Sequence, residues 1–288
     1  MMDLKDVLIV TDLDGTFFGK NPKLVPRNMA AVEYLKAHGG IFTLATGRLH
    51  ANMIVAMPMA AELMNAPIIA CNGALIYDMR TATPMYETFL PYDIGWQVLN
   101  FVRDNFPDCY TRISCPQGFL SSQELVDASP MLQRDLSTCG PTGFVIAPYE
   151  EWGNYKWYKF IVRGESASLD RLRAGLEPEF GDKLEFSKSG ATFFEVQSKG
   201  TTKAVMLGTL RKICEEQNGC PMTVYCCGDY ENDLEMLKHA DVAVCPSNAL
   251  DSVKEICDLC LCHHTEGLIA DLVEHIVAER GGSVRFEQ

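Results

Sequence analysis

An alternation of short apolar runs with amphipathic stretches most strongly constrains how this chain folds. The segments VLIVT (7–11), IFTLAT (41–46) and PIIACNG (67–73) are typical of fully buried strands. Between the first two, residues 27–40 have the spacing of a helix and end at a glycine pair. Strands that alternate with helices favour a parallel, doubly wound sheet. The sequence therefore predicts an α/β fold.

The middle of the chain has a different pattern. From about residue 78 to residue 188 the predicted helices and strands are shorter and mixed, and the strand–helix alternation returns at TFFEV (192–196). We therefore predict a parallel-sheet core domain formed by residues 1–82 and 190–288. Residues 83–189 would form an inserted α+β domain with its own small core.

Charge and hydropathy limit the partners of the chain. Its 288 residues carry a net charge of -13, which disfavours nucleic acid and anionic membranes as partners. The first apolar run is short and interrupted by Asp12, and no stretch approaches the roughly 18 consecutive apolar residues of a membrane span. We expect a cytoplasmic protein, a monomer or weak homodimer, whose 12 cysteines are reduced thiols.

Polar side chains gather where the predicted strands end, which is where open parallel sheets bind their ligands. These candidates are Asp12, Asp14, Thr46, Gly47, Arg48, Asp229, Asn232 and Asp233, together with Lys203 at the start of a helix. Several carboxylates can hold Mg²⁺, whereas a lysine, a threonine and backbone N–H groups can hold a phosphoryl group. The set predicts chemistry on a phosphate ester.

The two aspartates, spaced two residues apart, suggest two different catalytic roles. Asp12 would attack phosphorus and form an aspartyl-phosphate, while the metal and Lys203 offset the repulsion between the two anions. Asp14 lies on the same side of an extended backbone. It would protonate the leaving oxygen and then deprotonate the attacking water.

Four segments resemble the motifs of the haloacid dehalogenase superfamily of phosphatases, in the same order along the chain. They are DLDGT (12–16), ATGR (45–48), SKGTTK (198–203) and GDYENDLEML (228–237). The position and size of the insertion are similar to those of the Cof-type, type-IIB-capped subgroup, and so is CNGALIYD (71–78).

This resemblance implies a Rossmann-like core with an inserted cap that sets substrate specificity. It implies that Asp12 is the nucleophile, that Asp14 is the general acid/base, and that Thr46 and Lys203 bind the phosphoryl group. It also implies the remaining roles: Mg²⁺ is held by Asp12, the Asp14 carbonyl and Asp229, with support from Asp233, and Asn232 orients these groups.

Some assignments leave alternatives open. Lys199 precedes a glycine, as the motif lysine usually does, although spacing from Glu195 favours Lys203. For Arg48 and Asn72, contact with the substrate stands beside a purely local role in a loop or turn. CPSNA (245–249) replaces the methionine, glycine and asparagine common in the subgroup.

The segment CDLCLCHH (257–264) combines three cysteines with two histidines and invites comparison with a zinc site. Cysteines and leucines alternate within it as on a strand, and no second cysteine–histidine pair stands at a typical finger spacing. We therefore favour thiols packed on a strand over a metal site.

The sequence as a whole predicts a Mg²⁺-dependent phosphatase that hydrolyses small phosphorylated metabolites, with sugar phosphates as the first choice. A phosphosugar mutase that uses the same aspartyl-phosphate is one alternative. A module that binds metal and metabolite without catalysis is another, although such a module has no need for both Asp12 and Asp14.

Overall fold

The computed structural model describes residues 2–19, 23–139 and 143–287. The chain divides into two compact units. The first unit comprises Met1–Thr46, Pro58–Met85 and Thr202–Gln288, and the second comprises Gly47–Met57 and Tyr86–Thr201. Within the described ranges, no helix has both the length and the apolar character needed to cross a lipid bilayer.

The strands, in chain order, are β1 Val7–Thr11, β2 Ile41–Leu44, β3 Ile68–Ala70, β4 Leu75–Asp78, β5 Thr83–Glu87, β6 Tyr110–Cys115, β7 Gly118–Ser121, β8 Phe144–Ile146, β9 Lys159–Arg163, β10 Leu184–Gly190, β11 Phe193–Ser198, β12 Thr223–Cys227, β13 Val242–Pro246 and β14 Leu259–Leu261.

The α-helices are α1 Pro26–Ala37, α2 His50–Ala56, α3 Ala60–Leu63, α4 Tyr92–Asn105, α5 Gln123–Ala128, α6 Pro130–Cys139, α7 Ser166–Phe180, α8 Lys203–Asn218, α9 Leu234–Lys238, α10 Asp251–Lys254 and α11 Leu268–Glu279.

A five-stranded parallel sheet forms the centre of the first unit, in the order β14-β13-β12-β1-β2. Strand β1 is fully buried, as expected for a strand covered by helices on both faces. Its neighbours β2 and β12 are parallel to it, so the strands end at the same edge of the sheet. The predicted α/β fold with a parallel sheet is confirmed.

A smaller sheet of β3, β4 and β5 extends this arrangement. Strands β3 and β4 are antiparallel, and a single parallel bridge joins Ala45, just beyond β2, to Ile69 of β3. The turn Cys71–Gly73 connects β3 to β4. The end of β2 is thereby held beside this turn.

The second unit is built on a six-stranded sheet in the order β10-β11-β9-β6-β7-β8. Only β7 and β8 run parallel among its pairs, and the other pairs are antiparallel. One face packs against an apolar cluster that includes Trp152, Trp157 and Phe160. The aromatic segment 152–160 therefore supplies core residues of this unit.

The limits of the units differ from the predicted boundaries at three places, the first of which is that residues 83–85 fall within the first unit. We expected TFFEV (192–196) in the core domain, but β11 pairs with β9 and β10 and so belongs to the sheet of the second unit. Residues 47–57 also fall within the second unit. Strand β11 has the apolar content of a core strand, and only its pairing reveals the sheet to which it belongs.

Candidate active site

Asp12 directly follows β1 and lies almost entirely out of solvent, with 7% of its surface exposed. Its backbone N–H donates to the Cys227 carbonyl at 2.8 Å, which continues the parallel pairing between β1 and β12. The Thr11 hydroxyl donates to the Asp12 carbonyl, also at 2.8 Å. The carboxylate is therefore carried on a backbone fixed by the centre of the sheet.

Lys203 is the first residue of α8 and is 1% exposed. The helix begins here because the Thr202 hydroxyl accepts a hydrogen bond from the Val205 N–H at 3.2 Å. The Lys203 ammonium donates to Asp12 Oδ1 at 2.6 Å and to Asp233 Oδ1 at 2.7 Å. A cation is unfavourable at a helix N-terminus, so these two carboxylates also offset the helix dipole.

Asp229 and Asp233 follow β12 within one turn. The backbone N–H groups of Asp229 and Tyr230 donate to Asp233 Oδ2 at 3.0 and 3.2 Å. The Thr16 hydroxyl donates to Asp229 Oδ1 at 2.6 Å. The loop after β1 and the loop after β12 are thus joined through the site itself.

Asp12, Asp229 and Asp233 form a cluster in which one oxygen of each lies within 4.8 Å of the others. Three carboxylates face one ammonium, so the cluster has an excess of negative charge. Carboxylate oxygens at such separations fit a hard divalent cation. This donor set is compatible with a metal ion held by all three residues.

The ionisation of these groups reflects their surroundings. Burial, followed by repulsion from Asp233, raises the pKa of Asp229 to about 7. Burial is also the main cause that raises the pKa of Asp12 well above its usual value, although Lys203 opposes it. Burial disfavours the Lys203 ammonium, but Asp12 and Asp233 outweigh it and raise the pKa of the lysine. The three carboxylates therefore have too little positive charge beside them to balance their own.

Asp14 lies in the turn Leu13–Phe17 just beyond β1, and its own backbone is extended, with a φ of -86° and a ψ of 114°. Its residue is exposed, and its charge acts on the carboxylates of both Asp12 and Asp229. The turn depends on Gly15, which has a φ of +85°. A Cβ atom on Gly15 would lie 2.5 Å from Asp229 Oδ2, so no larger residue fits without displacing this carboxylate.

Thr46, Asn72 and Asn232 are joined in a second part of the site. The backbone N–H of Asn72 donates to the Thr46 carbonyl at 3.0 Å. The Asn232 amide donates to Asn72 Oδ1 at 3.2 Å. Asn72 adopts a left-handed conformation with a φ of +53°. These contacts place the end of β2 and the turn after β3 beside the loop that carries Asp233.

Three other candidates fall within the second unit. Gly47 accepts a hydrogen bond from the Lys159 ammonium at 2.8 Å through its carbonyl. Arg48 acts electrostatically on the thiol of Cys139 in the same unit. Lys199 is paired with Glu185 at 3.5 Å, and its side chain is 52% exposed. Of the two lysines considered, Lys203 is the one that contacts Asp12.

Two residues that support the loop after β1 were not among the predicted site residues. The Asn248 amide donates to the Gly15 carbonyl at 2.9 Å. The His264 ring contacts the Phe18 carbonyl through Nδ1 at 2.5 Å. The backbone N–H of His264 donates to Asn248 Oδ1 at 3.1 Å. Asn248 lies in the unusual segment CPSNA, and His264 ends the segment CDLCLCHH, which had been considered only as a metal site.

The cysteine-rich segment differs in part from the expectation of packed thiols. Cys260 lies on β14 as expected, but it is exposed, and Cys262 is half-buried. Cys245 of the neighbouring strand interacts with the side chains of Cys257 and Cys260, and the contact with Cys257 is the main cause that raises its pKa. The thiols therefore gather at the edge of the sheet.

Comparison of this chain with known proteins identifies its family. Residues 9–273 match the family described as haloacid dehalogenase-like hydrolase. The 5-amino-6-(5-phospho-D-ribitylamino)uracil phosphatase YitU of Bacillus subtilis is 23% identical, with 88% of this chain and 92% of that protein covered. The pyridoxal phosphate phosphatase YbhA of Escherichia coli is 24% identical, with coverages of 94% and 98%.

Solved structures share the fold over nearly their whole length. A haloacid dehalogenase-like hydrolase from Bacteroides thetaiotaomicron is 25% identical with a TM-score of 0.77, and 94% of this chain and 99% of that one are covered. The subclass IIB sugar phosphatase BT4131 is 19% identical with a TM-score of 0.77, with coverages of 94% and 98%.

Proposed function

Because the chain belongs to the haloacid dehalogenase-like hydrolase family, we propose that it is a Mg²⁺-dependent phosphatase acting on small phosphorylated metabolites. The observation that carries this proposal is the buried carboxylate of Asp12, which is paired with Lys203 and clustered with Asp229 and Asp233. A carboxylate in such a place has a use as a nucleophile and as a metal ligand.

In this mechanism Asp12, Asp229 and Asp233 hold the metal, together with the Asp14 carbonyl. Bound there, Mg²⁺ supplies the positive charge that lets a carboxylate approach a phosphate dianion. Lys203 stabilises negative charge on the phosphoryl oxygens, and its positive charge opposes the rise that burial causes in the pKa of Asp12. Thr46 and Asn232 fix the position of the phosphoryl group, with Asn72 holding Asn232 in place.

The reaction would proceed in two displacements at phosphorus. Asp12 attacks, a bond from its carboxylate oxygen to phosphorus forms, and the bond to the ester oxygen breaks. Asp14 gives its proton to the leaving alcohol. Water then attacks the aspartyl-phosphate as Asp14 takes a proton from it, which releases inorganic phosphate and restores both aspartates. The exposure of Asp14 suits a group that exchanges protons with substrate and water.

We assign substrate selection to the second unit, as the cap of the enzyme. Sugar phosphates are the first substrate class to test. The relatives named above act on phosphate esters that carry a heterocycle, a ribitylamino-uracil in one case and pyridoxal in the other, so esters of both kinds belong in the screen.

The first experiment measures phosphate release from para-nitrophenyl phosphate with Mg²⁺ and with a chelator. Wild type should release phosphate only with Mg²⁺, and Asp12→Asn should lose activity by several orders of magnitude while keeping its circular-dichroism spectrum. Asp251→Asn is the matched control, because the Asp251 side chain is 98% exposed. Full activity in Asp12→Asn would refute the nucleophile assignment. An isomerised sugar phosphate without free phosphate would identify a mutase instead.

A further inference from the structure

One face of the sheet in the second unit is both polar and buried. Arg112 and Ser114 lie two residues apart on β6, and on β9 Lys159 and Arg163 each lie two residues from Ile161, which pairs with Arg112. Side chains alternate along a strand, so these residues share one face of the sheet. All four cationic or hydroxyl side chains are at least nine-tenths buried. The intervening positions face the apolar core.

Positive charge exceeds negative charge on this face. Arg163 Nη1 donates to both oxygens of Asp135 at 2.7 Å. Arg112 Nε lies 2.8 Å from Asp135 Oδ2, although it is not aligned for a hydrogen bond. Lys159 is already paired with Glu195. The single carboxylate of Asp135 thus neutralises charge on two guanidinium groups, those of Arg163 and Arg112.

Several buried polar atoms here find no partner in the part of the chain that the structure describes. They are Nη1 of Arg112, Oγ of Ser114 and both polar side-chain atoms of Asn52. Arg112 and Asn52 are each 5% exposed, and Ser114 is fully buried. Buried donors and acceptors nearly always have partners in folded proteins. Such atoms on three buried residues of one unit, one of which is a cation, therefore indicate a missing ligand.

Cys139 lies near both Asn52 and Arg112. A Cβ atom added to Gly143 would lie 2.9 Å from Asn52 Nδ2 and 2.5 Å from the Cys139 carbonyl oxygen. The Cys139 thiol in turn interacts electrostatically with Arg112 and with Arg48. The guanidinium of Arg112 also lies over the ring of Phe119, 3.5 Å from the ring centroid. This stacking fixes its plane and leaves its edge to bind oxygen atoms.

From this geometry we propose that the second unit contains an anion-binding site. Arg112 binds a carboxylate or tetrahedral oxyanion group of a small molecule, with Asn52 and Ser114 as further hydrogen-bond donors. The anion provides the negative charge that Asp135 alone does not. The site consists of residues of the second unit and does not depend on the phosphatase reaction.

The test compares thermal unfolding of the full chain with and without sodium sulfate or sodium malonate. Ionic strength is held constant with sodium chloride, and a chelator is present. Wild type should unfold at a higher temperature with the anion. Asp135→Asn should respond more strongly, because it removes the competing carboxylate, and Arg112→Met should lose the response. Arg171→Met is the matched control, since the Arg171 side chain is 66% exposed, and should behave as wild type.

Isothermal titration with the same salts measures affinity directly. Ser114→Ala keeps the charge of the site and should weaken binding at least about tenfold. This variant also tests the proposal if Arg112→Met does not fold. A response to sulfate alone identifies a tetrahedral oxyanion, and one to malonate alone identifies a carboxylate. Equal shifts in wild type, Arg112→Met and Asp135→Asn, or no saturable binding to wild type, would overturn the proposal.

Discussion

The ion pair between Asp12 and Lys203 is the central feature of the site at the scale of single residues. Both side chains are buried, and such a pair is maintained only when its geometry is good and its other hydrogen bonds are satisfied. Here Asp233 supplies the second acceptor for the lysine. The motif spacing favoured Lys203 over Lys199, and the structure brings Lys203 alone of these two to Asp12.

Thr16 offers a test of how the carboxylates are oriented. Thr16→Val removes the hydroxyl that donates to Asp229 Oδ1 while keeping the shape of the side chain. Because partners of metal ligands set their orientation, we expect the Mg²⁺ concentration for half-maximal activity to rise about 10- to 100-fold. A Mg²⁺ titration of phosphate release measures it.

Thr16→Ser is the control for this prediction, since it retains the hydroxyl and loses only a methyl group. Its Mg²⁺ requirement should stay close to that of wild type. If valine and serine raised the requirement equally, packing rather than the hydrogen bond to Asp229 would be responsible.

At the scale of elements, one buried side chain ties three segments of the first unit together. The Asn28 amide on α1 donates to the Phe17 carbonyl at 3.2 Å. Its Oδ1 accepts from the N–H groups of Ile269 and Ala270, at 2.9 and 3.2 Å. These N–H groups belong to the first turn of α11, which would otherwise leave them buried without acceptors. The turn that carries Asp14 is thus anchored to two helices.

Asn28→Ala should destabilise the protein by about 1–3 kcal/mol, because it leaves these buried donors unsatisfied. Urea unfolding followed by circular dichroism measures the difference. Asn105→Ala at the end of α4 is the control, since the Asn105 amide makes an exposed hydrogen bond to the Phe101 carbonyl. A loss no greater than that of the control would mean that Asn28 does not anchor α11.

At the scale of the whole molecule, buried thiols link stability to pH in both units. Burial raises the pKa of Cys115 and of Cys109 to about 11, and that of Cys214 to about 12. An unfolded cysteine has a pKa of about 8.5. The folded state therefore holds these protons more tightly, which stabilises it fully below about pH 8.5. This stabilisation is lost as the pH rises toward 11.

We expect the free energy of unfolding to fall between pH 8 and pH 10 by about 2 kcal/mol for each such thiol. Urea unfolding in the presence of a reductant, at several pH values, measures the slope. Cys115→Ser should lower stability at every pH but flatten the slope above pH 8.5. A slope identical to that of wild type would assign the alkaline loss to other groups.

Much of the first unit follows from local sequence. The apolar runs at β1 and β12 predict buried strands, and parallel strands bring their polar ends to one edge. Asp12, Asp229 and Asp233 were predicted together on this basis, and family membership is confirmed by the match over residues 9–273. The motifs indicated these residues because the proposed chemistry requires particular side chains at particular strand ends.

The tertiary structure decided what depends on pairing between distant parts of the chain. The apolar residues of β11 predicted a strand of the core domain, yet its hydrogen bonds place it in the sheet of the second unit. His264 contacts the Phe18 carbonyl, although the two residues are 246 positions apart in the sequence. The sequence gives Arg112 the character of an ordinary strand residue, and only the structure shows its contacts with Asp135 and Phe119. Alternation along a strand specifies which residues share a face, whereas the neighbouring strand and the groups covering that face are set by the packing of the whole chain.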